Sequence, residues 1–134
     1  MRESTFIRAV HQHVDRAKCV VWKINDNYFG GIPDCWYLGP NGQPFFIEYK
    51  WIKALPKRLS TPIKPNLSQL QLQMCSKLER NGHLLFVVVG VEIERKVIIY
   101  RDSQTWTKGI DRNSIELLSR KDFSNFLEYQ LMEG

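Results

Sequence analysis

Phe45-Phe46-Ile47-Glu48-Tyr49-Lys50-Trp51 is the stretch on which the reading of this chain turns. It is rich in aromatic and β-branched residues and reads as a strand. It also carries an acid and a base inside an apolar run. Charges are buried at a cost unless they are paired or bound to a metal. Side chains alternate along a strand, so Glu48 and Lys50 share one face and Tyr49 turns to the other. A structural Glu–Lys network on a solvated sheet face is the plainer alternative.

Working upstream, Pro33-Asp34 opens a short strand over 34–38, and Gly39-Pro-Asn-Gly42 reads as a hairpin turn. The hairpin brings Asp34 beside Glu48. Two carboxylates so placed suit a hard cation, Mg²⁺ or Mn²⁺, and the backbone carbonyl of Tyr49 could add a third oxygen. Lys50 could orient a water or stabilise charge on a phosphate.

The remaining elements follow from periodicity. Phe6, Ile7, Val10, Val14 and Ala17 predict a helix over 4–17, and Cys19 to Ile24 predicts a strand. Residues 25–31 form a turn-rich loop. Residues 53–66 hold Pro56, Pro62 and Pro65 and read as a second loop. Leu70, Met74, Cys75 and Leu78 predict a helix over 67–81, stopped by Gly82. Leu84 to Val91 is nearly all apolar, as in a strand buried on both faces. A turn over 92–96 leads to a strand over 97–100, and Phe123, Phe126, Leu127 and Leu131 mark a C-terminal helix. This order predicts an α/β fold: a central mixed sheet flanked by helices, with a right-handed parallel crossover between residues 45 and 91.

The chain has 134 residues, 43% hydrophobic and 25% charged, which fits a single domain over 1–134. No apolar run is long enough to span a bilayer, and the N-terminus lacks the apolar core of a signal peptide, so the cytoplasm is the expected location. Three cysteines (Cys19, Cys35 and Cys75) without a C-x-x-C spacing argue for free buried thiols rather than a disulfide framework or a zinc knuckle. The three histidines lack a ligand pattern and read as structural or surface residues. Neither a P-loop nor a Gly-x-Gly-x-x-Gly is present, which argues against a nucleotide cofactor. Net charge is +5, and Lys50, Lys53, Lys57, Arg58 and Lys64 crowd one stretch. That suits a nucleic-acid backbone, and equally a solvated basic loop. Lys23 reads as a phosphate contact or a snorkelling strand lysine. Trp36, Tyr37 and Trp51 read as base-stacking residues or, by default, as packing.

Taken in order, Glu3-Ser4, Trp22-Lys23-Ile24, Gly31-Ile32-Pro33-Asp34, Ile47-Glu48-Tyr49-Lys50, Leu67-Ser68-x-x-Gln71 and Gly82 resemble the PD-(D/E)XK nuclease superfamily. Within it the chain is similar to the VRR-Nuc and Holliday-junction-resolvase-like group, from Glu3 to about Val91. The resemblance implies a restriction-endonuclease-like fold with an αβββαβ core, here followed by a further strand and helix. It implies that Asp34 and Glu48 are metal ligands and Lys50 the catalytic lysine. Glu3 would reach the metal from the first helix, through water, and Gln71 would face the site from the second. Gln71 lies at the edge of that helix's apolar stripe, which agrees. The link between Lys50 and Leu67 looks longer and more basic than is typical of the group, and the tail after Val91 is unmatched.

The expectation is a Mg²⁺-dependent endonuclease on DNA, selective for branched or junction structures and acting as a homodimer. The alternatives are a nucleic-acid-binding module on the same fold that does not cut, and a nuclease acting on RNA.

Overall fold

The computed structural model describes residues 3–24, 30–40 and 42–134. Most of the loop read over 25–31, and Asn41 of the hairpin turn, lie outside the described residues. The elements run α1 (Glu3–His11), β1 (Val20–Lys23), β2 (Cys35–Leu38), β3 (Phe45–Ile52), α2 (Gln69–Arg80), β4 (Leu84–Val91), β5 (Lys96–Tyr100), α3 (Ser103–Lys108) and α4 (Arg120–Met132). The strands form one sheet in the order β1-β2-β3-β4-β5. Only β3 and β4 run parallel, and α2 connects them; the other pairs are antiparallel. The expected mixed sheet and αβββαβ core are therefore present.

Strand alternation sorts the core into two layers. Ile47 and Tyr49 of β3 join Phe6, Ile7 and Val10 of α1 and Phe123, Leu127 and Leu131 of α4. Val87, Val89 and Val91 of β4 join Cys75 of α2 and Trp106 of α3 on the other face. β4 is buried along almost its whole length, as its unbroken apolar run requires. All three cysteines are buried and free.

The helices depart from the sequence reading at two boundaries and one new element. α1 stops at His11 rather than 17. The Asp15 side chain accepts from the Ala17 amide, and its carbonyl takes the amides of Lys18 and Cys19. This local turn outcompetes the helix, although Val14 keeps the apolar spacing. α2 begins at Gln69 because Ser68 is its N-cap. α3 was not anticipated. It has six residues and buries only Trp106, so no apolar period could mark it.

The loop after β3 and the chain after β4 pack on each other. Leu55 N–H donates to Glu94 Oε2 at 3.1 Å, Tyr100 Oη donates to the Ile63 carbonyl at 2.7 Å, and Arg112 Nη1 donates to the Pro56 carbonyl at 2.7 Å. Ile63 and Ile110 exchange both backbone hydrogen bonds. The two stretches unmatched by the family resemblance are thus packed as one unit.

The hairpin turn meets the last turn of α4. A Cβ on Gly39 would fall inside the van der Waals envelope of the Leu131 carbonyl oxygen, so the sequence Gly39-Pro-Asn-Gly42 also answers to a helix far along the chain. Gly39→Ala is expected to lower unfolding free energy by about 1–3 kcal/mol, the usual penalty for overpacking. Urea denaturation measures this. A loss below about 0.5 kcal/mol, the range of neutral surface changes, would show that α4 lifts away freely.

Candidate active site

The β2–β3 hairpin sets the two carboxylates side by side. Cys35 pairs with Ile47, so Asp34 sits just before the ladder begins. Its carbonyl accepts from Ile24 N–H at 2.7 Å, and its Oδ2 accepts from Tyr49 N–H at 2.9 Å. Asp34 is therefore held through both main chain and side chain. The strand expected from 34 starts at Cys35, because the Asp34 side chain takes the Tyr49 amide that a ladder partner would otherwise use. Within a strand the N–H and C=O of one residue leave on the same side, so the Tyr49 carbonyl also points toward Asp34.

Glu48 is 2% exposed. Its Oε2 accepts from Gln71 Nε2 at 3.0 Å and lies 3.9 Å from Lys50 Nζ. Its Oε1 is buried and, among the described residues, has no hydrogen-bond partner. Gln71 reaches this carboxylate because of how α2 begins. Gln71 N–H donates to Ser68 Oγ at 3.2 Å, and Gln71 Oε1 accepts from Ser68 N–H at 2.9 Å. This is a capping box, legible as Ser-x-x-Gln. The amide oxygen closes the cap, so the amide nitrogen must face Glu48. Gly31 brings the Asp34 segment to the same place. Its φ is +85°, and a Cβ there would strike the backbone of Leu70 and Gln71.

Behind the carboxylates, Tyr49 is anchored by a buried chain of hydroxyls. Tyr49 Oη lies 2.7 Å from Tyr37 Oη, which lies 2.7 Å from His11 Nε2. His11 is thus structural, as the sequence suggested. Burial, with Arg16 and Lys23 nearby, lowers its pKa to about 4.

The site is short of positive charge. Burial is the main cause of the high pKa of Glu48, about 8; Asp34 and Glu3 add to it and Lys50 opposes it. Burial also raises Asp34, against the Tyr49 amide, Lys50 and Lys23. Glu3, at the start of α1, is raised by burial and by Asp34, and lowered by Lys50 and Lys23. Glu3, Asp34, Glu48 and Lys50 therefore share one field, and Lys23 stands at its edge.

A divalent cation fits this donor set in a particular way. Among the described residues no three His, Cys, Asp or Glu side chains form a ready cation cage. Instead Asp34 and Glu48 each have one oxygen tied to the scaffold, and Glu48 Oε1 is left bare. Mg²⁺ commonly takes one or two carboxylates and completes its shell with water and substrate phosphate.

Other expected residues lie elsewhere. Lys53, Lys57, Arg58 and Lys64 are exposed on the loop after β3, and none registers in the field at Glu3, Asp34 or Glu48. Tyr37 is fully buried, and Trp51 packs 5.3 Å from Phe6, so both are core aromatics. Trp36 is half-buried. Trp22, which the sequence reading did not single out for stacking, is 56% exposed beside it.

Among solved structures the chain is similar to Hjc, a Holliday junction resolvase from the archaeal hyperthermophile Archaeoglobus fulgidus. The TM-score is 0.57, with 15% identity over 90% of this chain and 98% of that one. The fold is restriction-endonuclease-like. No protein-family model matches the chain, and no curated protein matches it. The finer placement with the VRR-Nuc group therefore rests on the order of motifs alone.

The burial of Glu48 has a consequence for stability. Its ordinary pKa of 4.5 applies to the unfolded chain, and about 8 to the fold. Between these values the folded state binds more protons, so stability falls as pH rises. With chelator present, Glu48→Gln is expected to melt above the native chain at pH 8, by roughly 5 °C. The gap should close as pH falls toward 4.5. Thermal denaturation across this range tests it; a gap that widens at low pH would contradict the burial argument.

Proposed function

We propose that this protein is a Mg²⁺- or Mn²⁺-dependent endonuclease that hydrolyses DNA phosphodiesters, with branched or junction DNA as its substrate. The observation that carries this reading is the pair Asp34 and Glu48, each with one oxygen tethered, beside the Lys50 ammonium. The shared fold with a Holliday junction resolvase and the net charge of +5 agree with it.

Asp34, Glu48 and the Tyr49 carbonyl would hold the cation, with Glu3 reaching it through water. Such an ion, when bound, neutralises phosphate charge and makes water a better nucleophile. The protein's own groups do the rest. Lys50 holds a positive charge where the phosphate gains negative charge, and its protons orient the attacking water. Gln71 fixes the carboxylate of Glu48, and Ser68 fixes Gln71. Lys23 contacts the backbone at the rim, and Lys53, Lys57, Arg58 and Lys64 offer a second, outlying backbone contact. A homodimer would match two active sites to two strands.

The test is cleavage of supercoiled plasmid and of a four-way DNA junction by purified protein. Activity is expected with Mg²⁺, none with chelator, and recovery when Mg²⁺ is restored. Asp34→Ala and Lys50→Ala should each lose about 10²–10³-fold in rate. No cleavage by the native chain, or undiminished cleavage by Asp34→Ala, sinks the reading. An RNA panel run alongside separates the two substrate classes.

Gln71→Ala should cost about 10–100-fold, as removing the support of a metal ligand usually does. Ser68→Ala should move activity in the same direction by less. If both variants cleave like the native chain, the capping box has no bearing on Glu48.

A further inference from the structure

β1 is an edge strand, bonded to β2 on one side. Its two faces differ in chemistry. Trp22 pairs with Trp36, and Trp36 with Phe46. Cross-strand partners share a face, so both indoles lie on the face that carries Glu48. Trp22 and Val20 are 56% and 50% exposed, and the two indoles meet edge to face at 6.5 Å. By register Trp36 is the diagonal neighbour of Glu48, and Trp22 of Asp34. Such neighbours are about 7–8 Å apart, within reach of an aromatic side chain.

Lys23 takes the opposite face, where it meets α1. A groove of about 450 Å³ runs there, lined by Arg8, His11, Arg16 and Lys23 among others, with no acid in its wall. Among the described residues, Arg8, Arg16 and Lys23 have no ion-pair partner. Lys23 pairs with Cys35, and Ile24 N–H donates to the Asp34 carbonyl at 2.7 Å, so the groove adjoins the carboxylate site. Cations that track a backbone, next to exposed aromatics that take bases, are the two parts of a single-strand binding surface.

A paired base has both faces stacked inside the duplex and offers none to an indole; an unpaired one does. We infer that the β1 edge holds an unpaired strand of the nucleic acid beside the scissile phosphate, its phosphates against Arg8, Arg16 and Lys23 and a base against Trp22 and Trp36. This deepens the nuclease reading by naming the form of its substrate, but the binding itself needs no cleavage. A second copy of the chain is the competing occupant. A two-fold interface along β1 would set Arg8, Arg16 and Lys23 of each copy near those of the other, against like charge.

The test is binding in chelator, read by anisotropy of a labelled oligothymidylate and of a labelled duplex of equal length. The oligothymidylate should bind and quench indole fluorescence. Trp22→Ala should weaken it about 5- to 100-fold, the range for one lost base stack, and leave duplex affinity unchanged. Trp22→Phe should restore most of the loss. Arg8→Ala with Arg16→Ala should lower the slope of log affinity against log salt by about 0.7 per lost contact. Two results overturn the inference. One is an unchanged oligothymidylate affinity in Trp22→Ala, or an equal loss on duplex. The other is a native dimer that Trp22→Ala splits into monomers while its oligothymidylate affinity holds, which assigns the edge to a second copy. Binding is read in chelator and cleavage in Mg²⁺, so failure of cleavage and failure of this edge are separately visible.

Discussion

Glu48 sits in the middle of a sheet, almost out of contact with water, and among the described residues its Oε1 has no hydrogen-bond partner. A lone carboxylate there would be expelled or neutralised. The molecule answers by bringing other groups to it. α2 starts where it does so that Gln71 can donate to Oε2, Lys50 follows on the same strand face, and Gly31 lets the Asp34 segment lie directly on α2. These contacts satisfy half of the carboxylate. The other half has no hydrogen-bond partner among the described residues, and its burial costs stability.

The two faces of β3 divide the work. On one, Glu48 and Lys50 face the site. On the other, Tyr49 is locked by Tyr37 and His11 and packed by Phe6 and Phe123. Its hydroxyl chain does not touch the carboxylates. Its backbone does: the amide holds Asp34, and the carbonyl points the same way. A buried aromatic face thus fixes the position of main-chain groups on the side of the carboxylates. The loop after β3 and the C-terminal segment fasten to each other beyond this centre, through Ile63, Ile110 and Tyr100, and leave the basic side chains of the loop in solvent.

Much of the fold was legible because its signals are local. The alternation in β3, the unbroken apolar run of β4 and the apolar spacing in α2 and α4 each follow from the period of one element. The acids and the lysine were legible for a related reason: charge inside an apolar strand is anomalous wherever it occurs. α3 was not legible, since one buried tryptophan in six residues has no period. Nor was the end of α1, where an Asp15 side chain overrides the apolar spacing.

The sequence alone determined that Asp34, Glu48 and Lys50 belong together, because a hairpin and strand alternation allow little else. Only the tertiary structure decided which cations serve them. Lys53, Lys57, Arg58 and Lys64 are near Lys50 in sequence, yet the loop after β3 carries them away. Lys23 lies far from Lys50 in sequence, yet pairing of β1 with β2 brings it to the Asp34 end of the site, in a groove that it shares with Arg8 and Arg16. The physical reason is that a strand's period is written in neighbouring residues, whereas the field around a buried carboxylate depends on which distant elements fold against it.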